Sequence, residues 1–313
     1  MMERRIFSPA KAVAAAMAFG IFLVAGCGST ETAASPAGSA GAGNDLGTID
    51  KGKLKVAIEP YMPYTDIKGG KMVGLDAEIL QAAAANLGLE IVPQMTDFKG
   101  MLNSVQSGRA DVTIGGIGWS AERAEKGLFS DPVYYSPAAM AVAGDKPYKT
   151  VDDLKGLKLG TVSGYVWEKS IKAVPGAQAK VYPDANGFFA DLAAGRIDVG
   201  FIDPLLVTYQ RSVQPNSKFQ LAYLTPPTDA QITAIPAYKD FRQIQVAFYL
   251  PKAATKLEKA LDEQIDKLYT NGQLAQMITK WGGDPNQFGK PDPYLETLRQ
   301  NVDRPADWKL PTI

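Results

Sequence analysis

The sequence predicts an α/β fold with mostly parallel strands, arranged as two similar lobes with a ligand cleft between them. Short apolar runs alternate with amphipathic segments along the body of the chain, a pattern typical of a sheet covered by helices. The five residues 108–112 have a close copy at 195–199, and each copy follows an amphipathic segment and leads into an apolar run. Residues 53–57 are matched by 158–162 ahead of the second copy. Two related lobes explain both repeats, and a small ligand is expected in the crevice between them.

Hydrophobic periodicity and glycine stops define the individual elements of the first lobe. The predicted elements are, in order, strand 54–58, helix 76–87, strand 89–92, helix 98–107, strand 110–114 and a short helix at 120–126. Residues 129–132, which include Ser130, Asp131 and Pro132, are expected to form a loop. Beyond the second lobe, the pattern predicts a strand at 245–250 and helices at 254–269 and 273–281. The proline-rich residues 284–313 are expected to be a tail that packs on the body, with a helical turn or two within 294–302.

The first residues have the layout of an export signal. Arg4, Arg5 and Lys11 precede an apolar stretch from Ala12 to Ala25, which is shorter than the roughly 20 residues that a helix needs to cross a bilayer. The stretch ends at Cys27, the only cysteine, in a sequence that resembles the lipobox of bacterial lipoproteins. We therefore expect residues 1–26 to be removed as a signal peptide, Cys27 to carry a lipid anchor, and residues 27–46 to form a flexible tether.

Composition excludes several classes of function. There is no histidine, which removes Ser-His-Asp and Cys-His triads and the usual zinc sites. Acidic and basic residues number 33 each, and no basic block occurs, so nucleic acid is an unlikely partner. Residues 116–121 formally match a dinucleotide-binding pattern, but the following helix is too short for one. No metal or cofactor is expected.

A glycine-rich segment before the short helix is a candidate anion site. Gly116 and Gly118 allow close approach to the backbone, Ser120 is a candidate N-cap, and Arg123 falls in the first helical turn. Backbone donors and a guanidinium suit a carboxylate. The alternative is that Arg123 forms a surface ion pair with Asp131 or another acidic neighbour.

Further candidates lie beside predicted strand ends. Asp203 ends a strand and begins a helix, so it is either a receptor for an ammonium group or an ordinary helix cap. Glu59 and Tyr61 follow the first strand, and Trp119 and Tyr165 add aromatic rings. These rings either stack on a ligand or cover the edge of the core.

Four motifs in the same order resemble those of the family 3 solute-binding proteins, the capture subunits of polar amino-acid ABC importers. They occupy residues 74–78, 120–134, 192–203 and 280–283. The resemblance covers roughly residues 50 to 285. It implies a two-lobed clamshell (type II) with two crossover strands, comprising one lobe of residues 47–141 plus 244–285, a second lobe of 142–243, and a C-terminal extension of 286–313.

The resemblance also implies roles for site residues. Arg123 would hold the α-carboxylate of the ligand, Asp203 its α-ammonium, and Tyr61 would lie over its side chain. The family usually has Ser or Thr where Gly118 stands, and Thr after the glycine equivalent to Gly164, where this chain has Tyr165. Backbone N–H groups and the Tyr165 phenol are then expected to contact the carboxylate, and Glu59 favours a cationic side chain.

Two functions of different classes follow. The first is a monomeric, lipid-anchored binding protein on the outer face of a membrane or in the periplasm, which delivers a polar or cationic amino acid to an ABC permease and catalyses no reaction. The second is an enzyme similar to the secreted cyclohexadienyl dehydratases, which have a similar fold. A tethered receptor has a reason to stay at a membrane and a diffusible enzyme does not, so the sequence favours transport.

Overall fold

The computed structural model describes residues 45–313, and the expected signal peptide, Cys27 and nearly all of the expected tether lie outside them. The strands are β1 (Lys53–Ile58), β2 (Asp66–Lys68), β3 (Lys71–Val73), β4 (Glu90–Met95), β5 (Val112–Thr113), β6 (Gly127–Ser136), β7 (Ala139–Ala143), β8 (Lys158–Val162), β9 (Gln178–Tyr182), β10 (Val199–Gly200), β11 (Phe219–Tyr223) and β12 (Ile244–Pro251). The helices are α1 (Leu75–Asn86), α2 (Phe98–Gln106), α3 (Ala121–Ala124), α4 (Glu168–Ala173), α5 (Ala185–Ala193), α6 (Pro204–Val213), α7 (Asp229–Ala234), α8 (Thr255–Thr270), α9 (Gln273–Lys280), α10 (Pro285–Phe288) and α11 (Tyr294–Arg299). None of these helices is both long and apolar enough to cross a bilayer.

Two five-stranded sheets form the cores of two lobes. The first sheet has the order β4-β1-β5-β12-β6, and the second has the order β11-β7-β10-β8-β9. In each sheet four strands run in one direction and one strand, β12 in the first sheet and β7 in the second, runs antiparallel to its two neighbours. The α/β class and the two-lobed architecture expected from the alternation and the repeat are confirmed.

The chain passes between the sheets twice. It leaves the first sheet at the end of β6 and enters the second at the start of β7, so the change of sheet falls at residues 137–138. This is slightly before the boundary at 141 expected from the sequence. It returns from β11 through α7 and a 3₁₀ turn (Pro236–Phe241) into β12, which lies inside the first sheet. These two connections are the segments about which the lobes can rotate.

The repeated pattern has the same structural role in both lobes. Asp111 accepts the backbone N–H of Lys55 at 2.8 Å and returns its own N–H to the Lys55 carbonyl at 2.9 Å. Asp198 makes the equivalent pair with Lys158, at 2.9 and 2.8 Å. The equivalent strand residues are therefore Lys55 and Lys158, a shift of two from the match 53–57 with 158–162 that the sequence suggested.

Most predicted elements are present within a few residues of their expected bounds, but the prediction of a loop at 129–132 is wrong. These residues belong to β6, a strand of 10 residues at the edge of the first sheet. The Ser-Asp-Pro sequence is a turn signal, yet Pro132 is tolerated here because an edge strand needs fewer backbone donors. The pairing of β6 with β12 also changes register at Pro132.

The C-terminal extension packs on the first lobe, as expected. Arg299 is fully buried and donates to the carbonyls of Phe129 and Ser130 on the β6 edge, at 3.2 and 2.9 Å. It also binds Asp303 at 2.8 Å. Arg304 makes ion pairs with three acidic residues, Asp131, Glu258 and Asp262. The extension therefore covers a sheet edge and satisfies its exposed carbonyls.

Candidate functional site

Arg123 projects between the two lobes from the start of α3. Ser120 is the N-cap, and its Oγ accepts the Arg123 N–H at 3.3 Å, as the sequence predicts. The guanidinium donates to the Gly118 carbonyl of the first lobe at 2.6 Å and to the Gly164 carbonyl of the second at 2.9 Å. It also lies 5.3 Å from the ring centre of Phe98. Burial lowers the pKa of Arg123 to about 10, so the group remains charged at neutral pH.

The alternative for Arg123, a surface ion pair with Asp131, does not form. Asp131 instead accepts from Arg304 and from the indole of Trp308, both at 3.0 Å. Among the described residues, the Arg123 guanidinium hydrogen-bonds to two backbone carbonyls, Gly118 in its own lobe and Gly164 in the other lobe. Both acceptors are uncharged, and the carboxylate of a ligand would be a stronger acceptor for the same guanidinium.

The glycine segment already holds an anion that belongs to the protein. The N–H groups of Gly115 and Gly116 both donate to Asp76 Oδ2 at 2.9 Å, and Tyr134 donates to Oδ1 at 2.7 Å. Burial raises the pKa of Asp76 to about 6, although these hydrogen bonds oppose the shift. The Gly116 N–H is therefore used internally, and the contribution of Gly116 to a ligand site is the space it leaves: a Cβ there would lie 3.3 Å from Asp203 Oδ2.

Asp203 lies between β10 and α6 and is 5% exposed. It occupies the N-cap position of α6, but its side chain makes no capping hydrogen bond. Instead, Oδ2 accepts the hydroxyl of Tyr61 from the other lobe at 2.7 Å, and Oδ1 lies 3.5 Å from the hydroxyl of Ser136. Burial raises the pKa of Asp203 to about 7. A buried carboxylate that has hydroxyl donors but no cationic partner is well suited to receive an ammonium group.

Aromatic side chains surround these two charges. Tyr165 packs edge-on against Tyr61 and Phe98, with ring centres 6.1 and 4.8 Å apart. Its hydroxyl donates to Glu59 Oε1 at 3.3 Å. Burial raises the pKa of Glu59 to about 7. Glu59 and Asp203 therefore give the interlobe region more acidic than basic character around the single guanidinium of Arg123.

A small cavity of about 20 Å³ joins the candidate residues. The predicted residues that border it are Tyr61, Gly116, Gly118, Arg123, Tyr165 and Asp203. Typical ligand pockets have about 300–1,000 Å³. The lobes and the tyrosine rings must therefore separate before an amino acid fits.

Three predicted residues do not border this cavity. Glu59 lies behind Tyr165, and Gly164 contributes its carbonyl to Arg123 from outside the lining. The indole of Trp119 points away and donates to Asp303 of the C-terminal extension at 3.1 Å.

Other lining residues were missed by the sequence reasoning. They are Phe98, Val166, Trp167, Ile244 and Val246, and Gly115 of the predicted glycine-rich segment lines the cavity as well. Phe98 is the first residue of α2 and Ile244 is the first residue of β12, so both of these elements begin at the cavity. A helix start and a buried strand give no signal about which cleft their side chains face.

The two sheets, the double connection between them, and a guanidinium and a carboxylate facing one interlobe cavity define a clamshell binding protein. The chain belongs to the bacterial extracellular solute-binding proteins, family 3, whose sequence pattern matches residues 54–284. It is 30% identical over 239 residues to the L-cystine-binding protein TcyJ of Escherichia coli (strain K12), a match that covers 75% of this chain and 84% of that protein.

Solved structures show the same architecture. An ancestral arginine-binding protein bound to arginine is 26% identical, with a TM-score of 0.64, and covers 74% of this chain and 99% of its own. The ancestral amino acid-binding protein AncCDT-1, described as a precursor of cyclohexadienyl dehydratase, is 20% identical with a TM-score of 0.60, and covers 74% of this chain and 95% of its own. At that identity the second likeness concerns the fold alone.

Proposed function

We propose that this protein captures a polar or cationic amino acid, or a close derivative, between its lobes and delivers it to an ABC permease. The observation that carries this proposal is that Arg123 from one lobe and Asp203 from the other border the same buried cavity. An α-amino acid presents a carboxylate and an ammonium group a few bonds apart, so a cation and an anion facing one small cavity are complementary to it. The names of the relatives, which bind cystine and arginine, support the same class of ligand.

Ligand binding in this proposal exchanges internal contacts for ligand contacts. The α-carboxylate replaces the Gly118 and Gly164 carbonyls on Arg123, and the α-ammonium replaces the Tyr61 hydroxyl on Asp203. Each exchange replaces a hydrogen bond that has one charged partner with one in which both partners are charged. Glu59, which is desolvated and lies next to Tyr165, favours a ligand that carries a second positive charge.

The test is a thermal-shift screen of the twenty amino acids, followed by calorimetry of the best ligand. A ligand that binds only the folded state raises the melting temperature. Arg123→Ala should weaken binding of the best ligand by about a hundredfold, because it removes a charged hydrogen-bond donor from a buried site. Arg109→Ala, at an exposed position of the same lobe, is the matched control and should leave the affinity unchanged. An unchanged affinity in Arg123→Ala removes the carboxylate role.

We also propose that the protein is exported, that residues 1–26 are removed, and that Cys27 then carries a lipid. Residues 27–46 would form the tether, and the functional form would be a monomer. The family's extracellular character supports export. The measurement is detergent-phase partitioning of protein expressed with its own signal. The wild type should partition into the detergent phase, and Cys27→Ala should move to the aqueous phase. A Cys27→Ala protein that stays with the membrane contradicts the anchor.

In the same proposal, the lobe built on the first sheet and the lobe built on the second sheet close on the ligand and catalyse no reaction. Incubation with prephenate or arogenate separates this from the dehydratase alternative. Neither compound should be consumed, and turnover would replace binding with catalysis as the function.

A further inference from the structure

A second and much larger cavity lies beside the candidate ligand site. Its volume is about 520 Å³, which is in the range of small-molecule pockets. Lobe 1, lobe 2, the start of β12 and the C-terminal extension all contribute to its walls, with Trp119, Val166, Ile244, Gln245, Tyr294 and Leu298 among the lining residues. The extension lies beyond the residues that match the family pattern, so this wall is an addition to the common fold.

Two aliphatic side chains are common to the walls of both cavities and form a partition between them. Val166 and Ile244 line both of them. Gly118 lies against this partition, because a Cβ at that position would approach Ile244 Cγ2 at 3.0 Å and Val166 Cγ1 at 3.4 Å. Val166 follows β8 of the second sheet and Ile244 begins β12 of the first sheet, so the two side chains move apart when the lobes separate. The two cavities are thus compartments of one interlobe cleft.

The second compartment combines an apolar wall with polar groups. Gln245 is 2% exposed, and its amide Nε2 donates to the Leu295 carbonyl of the extension at 2.7 Å. Its Oε1 is buried and has no hydrogen-bond partner among the described residues. The Gln245 side chain therefore fastens the extension to the start of β12 and leaves the recognition of a ligand in the compartment to other polar groups.

Charges of both signs line the same compartment. Lys239 and Asp240 lie side by side on its second-lobe wall. Arg242 also lines it, but its guanidinium is held by Asp229 at 2.6 Å and the Pro227 carbonyl at 2.9 Å. An ammonium and a carboxylate beside an apolar wall are complementary to a group that is itself dipolar.

We propose that this compartment takes the distal end of an extended ligand: an α-amino acid whose side chain ends in a second zwitterionic or amide group. The proposal rests on the proposed function, since the first amino-acid end occupies the site between Arg123 and Asp203. The second end passes the Val166–Ile244 partition and meets Lys239 and Asp240. The C-terminal extension then acts as a wall that selects for ligand length.

The test uses two ligands that differ only at the distal end. L-cystathionine has two amino-acid ends joined by a thioether, and L-methionine has the thioether without the second end. Calorimetry on the wild type should give cystathionine about tenfold or more the affinity of methionine, because the distal end adds charge-assisted hydrogen bonds.

Variants locate the preference. Leu298→Trp adds bulk from the extension at a partly exposed lining position and should reduce the preference for cystathionine to near unity. Val302→Trp adds the same bulk at an exposed position of the extension outside the lining and should preserve it. Lys239→Gln, on the opposite wall, should weaken cystathionine and leave methionine unchanged.

The outcomes are separable. A protein that binds an ordinary amino acid in the screen but does not prefer cystathionine refutes the second compartment alone. A preference that survives both Leu298→Trp and Lys239→Gln also refutes it. A protein that binds no amino acid refutes the proposed function and this inference together.

Discussion

Replacement of Asp203 by asparagine should stabilise the ligand-free protein at neutral and alkaline pH while it abolishes ligand binding. The carboxylate is 5% exposed, and its hydrogen bonds come from hydroxyls and not from a cation. Burial raises its pKa from 3.8 to about 7. The folded state therefore holds this proton more tightly than the unfolded state does.

The sign and size of the effect follow from that difference. Because the folded state binds more protons between about pH 4 and pH 7, its stability falls as the pH rises through this window. Three pKa units correspond to about 4 kcal/mol at 1.36 kcal/mol per unit, which is an upper limit because water and side chains relax. Asparagine keeps an acceptor for Tyr61 and carries no charge. We expect Asp203→Asn to raise the free energy of unfolding by about 2–4 kcal/mol at pH 8 and by almost nothing at pH 4.

Urea denaturation followed by tryptophan fluorescence, at a series of pH values without ligand, measures this. Asp266→Asn, at an exposed position of α8, is the matched control and should change neither stability nor its pH dependence. An Asp203→Asn protein that is less stable than the wild type at pH 8, or whose stability gain does not vary with pH, would refute the reasoning. The same variant should fail to bind the ligand, because the ammonium group of the ligand loses the carboxylate with which it pairs.

Three further predictions concern stability and the division of roles. Arg299→Met should lower the free energy of unfolding by about 3–5 kcal/mol in urea titrations, because it leaves Asp303 and buried carbonyls without their partner. Arg211→Met on the surface of α6 is the control. Equal effects of the two variants would contradict a stabilising role of the C-terminal extension. Trp119→Phe should lower the free energy of unfolding by about 1 kcal/mol, because the hydrogen bond to Asp303 is lost. The affinity for the amino acid, measured by calorimetry, should stay within twofold of the wild type. A large loss of affinity would show that Trp119 contacts the ligand. Gly118→Ala should destabilise by about 1–3 kcal/mol in urea titrations, since its Cβ would crowd the aliphatic partition between the two compartments, and a neutral result would mean that the partition yields easily.

The sequence predicts the fold well because local signals and the two-lobed arrangement agree. The copied pattern at 108–112 and 195–199 marks a turn whose aspartate binds the neighbouring parallel strand in each lobe. Strand β6 was missed at Pro132 because the local turn signal is overridden by pairing with β12, which lies more than a hundred residues away in sequence. No local pattern carries that information.

The candidate site was predicted in part. Arg123, Asp203, Tyr61 and Tyr165 were identified from motifs, and the structure brings them to one cavity. Trp119 was misplaced for a reason that can be stated physically. Gly118 and Trp119 lie in an extended segment bridged to β12, and successive side chains of such a segment point to opposite sides.

The role of the C-terminal extension was beyond the reach of the sequence. Its contacts depend on long-range pairing of Arg299 and Arg304 with the β6 edge and α8, and on Gln243 and Gln245 at the start of β12. Proline-rich composition predicts a tail and says nothing about which surface it covers. The wall that this extension adds to the cleft emerges only from the fold.

The central claim, that Arg123 holds the α-carboxylate of an amino acid, is tested most directly by pairing a ligand change with a residue change. The best ligand of the screen and its decarboxylated amine are titrated calorimetrically into the wild type and into Arg123→Ala. The wild type should prefer the amino acid by about 30-fold or more. Arg123→Ala should bind the two compounds about equally, because removal of the guanidinium and removal of the ligand carboxylate each abolish the same interaction. An Arg123→Ala protein that keeps the wild-type preference for the carboxylate would show that another group holds it.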